Sequence, residues 1–337
     1  MTISRGPDTD PPVSPRPAPS PAAPGSCTPR GTPMPFPESV PSIVDVELHR
    51  GARAGDAPPS LLLEVPHGAT RTEDFTAVAE GLRSPLPDGL VDFFHVNTDA
   101  GAPELADAVA RRFVEAHPDR SAAVLRCRIP RTFIDCNRRI DASADDFKAG
   151  KVTPGLMPWV TDPADRALLR GRYDQYVAAV RAATAAVMPA GGLVMLHTYA
   201  PRDVDVEVDA DIVRNLRRAY EPEVFPTWPL RPEIDVIGRD LEKRSYVSPA
   251  LLDALHQGFA RAGITLGEGA TYPLHPSTLA YDAAVRWPAR TLCIEVRRDL
   301  VADPFEPFAQ MRIGGPKVDR IAAPLAAALD AWWPPTA

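Results

Sequence analysis

Long apolar runs are missing from this chain of 337 residues. None approaches the roughly 18 consecutive apolar residues of a membrane-crossing helix, and the first thirty residues lack the apolar core of a secretory signal. The expected location is therefore the cytoplasm. Cysteine is scarce. The four present, Cys27, Cys127, Cys136 and Cys293, show no paired spacing, which argues against a disulfide framework or a structural zinc knuckle. An excess of positive charge is missing as well: 37 basic residues against 44 acidic give a net charge of -7. That is the wrong sign for binding nucleic acid through its phosphates.

What is present is enough apolar residue, 45%, to bury a large core. Proline is the anomaly. Twelve of the forty prolines fall within residues 1–40, mixed with Ala, Ser, Gly and Thr. Such a composition cannot bury enough apolar surface to offset the entropy of ordering, so a disordered tail is expected over 1–40 and one domain over 41–337.

Within that domain apolar runs alternate with helical patterns, the signature of α/β layering. Strands are expected at Ser60–Val65, Gly89–Val96, Ser121–Arg126, Arg131–Ile134, Leu193–Thr198 and Thr291–Val296. Helices are expected over Glu104–Ala116 after Pro103, and from the cap Asp162 and Pro163 through Met188. Two more are expected, one from Ser248 and Pro249 to a stop at Gly263, the other over Val318–Trp333 with Pro324 inside it.

Four polar residues stand in or just beyond an apolar strand segment: His67, Asp99, His197 and Glu295. Strand ends are where open α/β sheets build ligand sites. Two histidines and a carboxylate form a usual ligand set for catalytic zinc, and a further carboxylate can take a proton from water. Each residue also has a plainer reading. Either histidine could be a structural hydrogen-bonded residue, Asp99 could cap the helix near Pro103, and Glu295 could be paired with Arg297, two residues on along the same strand face. The densest polar cluster is Arg131 to Arg139, RTFIDCNRR, in which Arg131, Asp135, Asn137 and Arg138 surround Phe133 and Ile134. Guanidinium and amide groups so placed can hold a carboxylate, or form a solvated face.

These segments resemble the N-formylglutamate amidohydrolase family, related in fold and metal chemistry to zinc carboxypeptidases. The resemblance lies in IDCNR at Ile134–Arg138 with Arg131 before it, TDAGA at Thr98–Ala102, LHTYAP at Leu196–Pro201 and IEVRRDL at Ile294–Leu300. They occur in family order between about residues 58 and 330, and the proline-rich tail lies outside. The resemblance implies a three-layer α/β/α fold with a mixed central sheet, phosphorylase/hydrolase-like and zinc-peptidase-like. It implies one Zn2+ per chain on His67, His197 and a carboxylate. For that carboxylate Asp99 is preferred and Glu73 is the alternative, since Thr70 stands where carboxypeptidases carry theirs. Glu295 is implied as general base, and Asn137 and Arg138 as anchors of a substrate carboxylate. Arg131 would polarise the scissile carbonyl or bind a second carboxylate. Two departures stand out: Thr198 follows His197 where the family commonly has Ser, and GATYPLHP replaces an Asn-x-Pro-Tyr element, leaving His275 as a substrate contact or an ordinary loop histidine.

The expected activity is hydrolysis of the amide of an N-acyl amino acid with a free carboxylate, foremost N-formyl-L-glutamate to formate and glutamate. Another N-acyl amino acid or a peptide is the alternative substrate, and a non-catalytic carboxylate-binding module the alternative class. The latter has no use for a base such as Glu295.

Overall fold

In the computed structural model, which describes residues 36–141, 154–188 and 190–332, two apolar cores lie on opposite faces of one seven-stranded sheet. The period of two along each strand produces them. Leu61, Leu63 and Val65, Val194 and Leu196, and Leu292, Ile294 and Val296 point into one core. Leu62, Leu193, Met195 and Cys293 point into the other. Strands buried on both faces explain the near-continuous apolar runs in the sequence.

In chain order the elements are β1 (Val44–Arg50), β2 (Leu61–Val65), α1 (Thr72–Ala79), α2 (Leu90–Asn97), α3 (Ala102–Ala116), β3 (Ser121–Cys127), α4 (Pro163–Val187) and β4 (Gly192–Tyr199). There follow α5 (Ile212–Ala219), β5 (Ile234–Val236), α6 (Pro249–Arg261), β6 (Leu266–Glu268), α7 (Leu279–Arg286), β7 (Thr291–Arg297) and α8 (Gly315–Trp332). Strand order is β1-β3-β2-β4-β7-β5-β6. The central strands β3, β2, β4 and β7 run parallel, while β1 and β5 join them antiparallel. The sheet is therefore mixed, as expected. Helices α3, α6 and α8 cover the first face through residues such as Phe113, Phe259 and Leu325; α4 and α7 cover the second through Leu169, Tyr176 and Ala280.

Helix boundaries follow their caps. The Asp162 carboxylate accepts the Ala164 and Asp165 N–H groups and starts α4 at Pro163, as the sequence implied. Gly263, at φ +66°, stands just past the end of α6.

Two strand expectations fail. Gly89–Val96 is the helix α2, because Leu90, Phe93 and Phe94 are buried at helical spacing and Gly89 enters in the left-handed conformation at φ +70°. Arg131–Ile134 is a turn, in which the Pro130 carbonyl accepts from the Phe133 N–H at 3.0 Å and the Ile134 N–H at 3.4 Å. Only Ile134 forms a bridge, to Leu156. Of the expected tail, residues 1–35 lie outside the described residues. Phe36 and Val40 already pack against the second core, and Val40 bridges to Val44.

Candidate active site

Because β2, β4 and β7 are parallel and in register, their C-terminal ends open on the same edge of the sheet. His197 on β4 lies directly opposite Glu295 on β7 in that ladder. His67 follows β2 by two residues, in the turn after Val65. Asp99 arrives from the loop between α2 and α3. That loop is held by the Asp99 N–H on the His67 carbonyl at 3.4 Å and by the Thr98 hydroxyl on the Ala69 carbonyl at 2.5 Å. Gly101, at φ +91°, makes the tight entry to α3, and a side chain there would collide with Val301.

The Asp99 carboxylate does not cap α3, whose N-cap is Gly101 without a side-chain bond. Its Oδ2 instead lies 3.2 Å from His67 Nδ1 and 2.9 Å from His197 Nδ1, and the two imidazole nitrogens are 3.3 Å apart. All three residues are buried. His67 Nε2 sits 2.8 Å from Asp135 Oδ1, and a carboxylate so placed accepts a hydrogen bond from the N–H of that nitrogen. The lone pair of His67 then lies on Nδ1, facing the acceptor oxygen of Asp99 and a second imidazole. Lone pairs turned on one another in a buried space are the arrangement of a cation site, so this donor set fits a divalent metal ion. His197 Nε2 is in addition buried without a hydrogen-bond partner among the described residues. Glu73 is exposed in the first turn of α1 and does not join this group.

Charge in the site is arranged around the acids. Burial works against ionising Asp135, but Arg131, Arg138 and His67 hold its carboxyl well below the usual range. Arg131 Nη2 donates to Asp135 Oδ2 at 2.8 Å, and Arg138 Nη2 approaches the same oxygen at 3.9 Å. When the two histidines carry protons instead of a shared cation, their charge likewise holds Asp99 low against burial. Glu295 goes the other way: burial pushes its carboxyl up to about 7, with the His197 charge opposing. Its Oε2 has no hydrogen-bond partner among the described residues. Arg297 is not its partner, since that guanidinium donates to Asp299 at 2.8 Å. A buried carboxyl poised near neutrality beside a cation site is suited to general base work.

The RTFIDCNRR turn thus belongs to the site through Asp135, Arg131 and Arg138. Asn137 is positioned by α7: its side-chain oxygen accepts the Ala280 N–H at 3.2 Å and its backbone carbonyl the Leu279 N–H at 3.2 Å. Arg138 is buried, with its carbonyl held by the Tyr173 hydroxyl at 2.8 Å. His275 faces Ser277, its Nδ1 2.8 Å from the hydroxyl.

A family model described as N-formylglutamate amidohydrolase matches residues 60–302, which contain every residue named above as a candidate ligand, base or anchor. The chain belongs to the N-formylglutamate amidohydrolase family. It is accordingly an amidohydrolase, an enzyme of small-molecule amides. Among solved structures it is similar to an N-formylglutamate amidohydrolase from Ralstonia eutropha JMP134, at 15% identity and a TM-score of 0.54, over 86% of this chain and 97% of that one. It is also similar to a gene product of Agrobacterium tumefaciens, at 20% identity and a TM-score of 0.49, over 86% and 94% of the two chains. At such identities the first likeness speaks to the fold, the three-layer arrangement described above. No curated protein matches the chain. No helix among the described residues is long and apolar enough to cross a membrane.

Two contributors to this candidate site carry no clear mark in the sequence. Asp135 reads as one of several charges in a cluster, yet it orients His67. Arg298 reads as part of IEVRRDL. It is fully buried, donating to the Val96 carbonyl at 2.9 Å and the Thr198 carbonyl at 3.2 Å. It thereby ties the end of α2, and so the Asp99 loop, to the strand that carries His197. Its polar role is visible only once α2 and β4 are adjacent.

Proposed function

We propose that the chain hydrolyses the amide of an N-acyl amino acid with a free carboxylate, foremost N-formyl-L-glutamate, with zinc held by His67, Asp99 and His197. The observation that carries this reading is the convergence of those three side chains beside Glu295, whose buried Oε2 has no hydrogen-bond partner among the described residues. Two imidazoles and one carboxylate match the protein ligands of catalytic zinc sites, which leave a further position for substrate or water. When bound, such an ion supplies Lewis acidity toward the scissile carbonyl and toward water.

The chain's own residues do the rest. Glu295 takes a proton from the attacking water at its unpartnered oxygen and passes it to the leaving amine nitrogen as the C–N bond breaks, giving the carboxylic acid and the free amino acid. Asp135 keeps the His67 ring in one tautomer and orientation. Arg131, fixed by its bond to Asp135, brings positive charge to the developing oxyanion. Arg138 binds the α-carboxylate by a charge-assisted contact, assisted by the Asn137 amide nitrogen.

The test is metal analysis of the purified full chain together with a deacylation screen over N-formyl-L-glutamate, N-acetyl-L-glutamate and dipeptides. The expected result is about one equivalent of zinc per chain and release of formate from N-formyl-L-glutamate faster than acetate from the acetyl compound. A chain that retains no metal, or one that cleaves only peptides, would sink this reading.

A further inference from the structure

Beyond His197 and Tyr199, β4 leads into a short ladder. Arg202 bridges to Leu230, the Asp203 N–H donates to the Pro229 carbonyl at 2.9 Å, and the Arg231 N–H to the Pro201 carbonyl at 3.0 Å. This ladder sets Arg231 beside Tyr199, whose side chain lies on the same strand face as His197 by the period of two. The Arg231 guanidinium lies over two rings, 5.2 Å from the centroid of Tyr199 and 5.3 Å from that of Tyr272. Its Nη2 donates to the Tyr272 hydroxyl at 2.6 Å and to Asp203 at 2.7 Å. The Tyr272 segment is anchored in turn. Asp235, opposite Glu295 in the β5–β7 ladder, accepts the Ala270 N–H at 3.1 Å and the Thr271 N–H at 2.7 Å. Contacts with two rings and bonds at one end hold the guanidinium in place before any ligand arrives.

The Arg231 side chain is nine-tenths buried, and its Nε has no hydrogen-bond partner among the described residues. Its charge reaches the Glu295 carboxyl, as does that of Arg131. Asp203, its ion-pair partner, is more than half exposed and engages Nη2. A fixed cation with an unused buried donor, close to the base, is a seat for an anionic group that the chain itself does not supply. Arg131 and Arg138, assigned above to the oxyanion and the α-carboxylate, both face Asp135, which leaves Arg231 as a cation of the site with no assigned ligand.

We infer that Arg231 is a specificity-determining residue that binds the side-chain carboxylate of the substrate, so that the site selects N-acyl derivatives of dicarboxylic amino acids. The inference rests on the amidohydrolase reading above and assigns the second carboxylate to Arg231 in place of Arg131.

The test compares the full chain with Arg231→Met, which keeps a stem against the two tyrosines, and with Arg231→Lys, which keeps the charge. The quantity read is the ratio of kcat/KM for N-formyl-L-glutamate over N-formyl-L-glutamine, its neutral isostere. Arg231→Met is expected to lower that ratio by a factor on the order of 10² and Arg231→Lys to restore part of it. A parallel fall for both substrates would overturn the inference and make Arg231 a residue that only tunes Glu295 or supports the fold. If the native chain turns over neither compound, the proposed activity fails on its own account, and titration calorimetry with glutarate decides the matter. Binding by the native chain that weakens at least tenfold in Arg231→Met sustains the assignment, whereas equal affinity or no binding by the native chain overturns it.

Discussion

Among the described residues are two trios of histidine and carboxylate whose donor atoms lie close enough to hold one cation. In the first, His67, Asp99 and His197 are buried at the ends of central parallel strands. In the second, Glu47 and His49 on the edge strand β1 meet Asp107 of α3, with His49 Nε2 3.3 Å from Asp107 and 3.6 Å from Glu47. The distances are alike but the surroundings are not. Glu47 is 65% exposed, and Asp107 already receives Arg111 at 2.9 Å, so an ion there competes with water and with a guanidinium. At the first trio the one acid, Asp99, is desolvated, and Asp135 behind it bonds His67 and sets its tautomer. Residue type and spacing therefore do not make a metal site. Burial and the hydrogen bonds behind the ligands do.

The sharpest test of that contrast exchanges one histidine in each trio. His67→Ala is expected to reduce bound zinc from about one equivalent to background and to abolish turnover, because one of three protein ligands is lost. His49→Ala should leave both unchanged. Metal analysis and formate release on the two variants check this, and loss of metal from the His49 variant would move the metal site to the edge of the sheet.

Smaller, but still large, is the effect expected of Glu295→Gln, which keeps shape and hydrogen bonding but cannot accept a proton. Zinc content should survive while kcat falls by a factor on the order of 10² to 10⁴. The pH profile gives the sign. A base whose carboxyl is raised to about 7 by burial is protonated and inactive on the acid side, so kcat/KM should climb as the pH rises through that region. A cation on the neighbouring ligands moves the midpoint down from there, since positive charge favours the carboxylate. Unchanged kcat in the variant, or a profile that falls with rising pH over this range, would assign the base elsewhere.

The mildest effect concerns Asp135. Asp135→Asn retains an acceptor for His67 but removes the charge behind it, so zinc affinity is expected to weaken by roughly 10- to 100-fold, read by competition with a chelator. Affinity equal to the native chain would mean that burial alone distinguishes the two trios.

Legibility in the sequence followed the range of the interactions concerned. Strands β2, β3, β4 and β7 were readable because a strand buried on both faces is an uninterrupted apolar run, and α4 because its cap and proline are local. The strand β1 was missed since VDVELHR lies at an edge with only Val44 fully buried, and β5 and β6 because three residues carry no period. The segment LVDFFHVN was misread as a strand, because its apolar residues run together and the helical face emerges only in Leu90, Phe93 and Phe94.

By itself the sequence determined the chemistry available: two histidines, an aspartate and a glutamate at apolar strand segments, and a guanidinium-rich turn. It also determined, through the period of two, that His197 shares a sheet face with Met195 and Glu295 with Cys293. Only the tertiary structure decided that Asp99 and not Glu73 meets the histidines, that Asp135 stands behind His67, and that Arg231 meets both Tyr199 and Tyr272. Those outcomes depend on the register of parallel strands joined by long crossovers, which brings together groups 32 to 130 residues apart in the chain. A local pattern specifies a strand and its faces; which strand becomes its neighbour is settled by the packing of both cores at once.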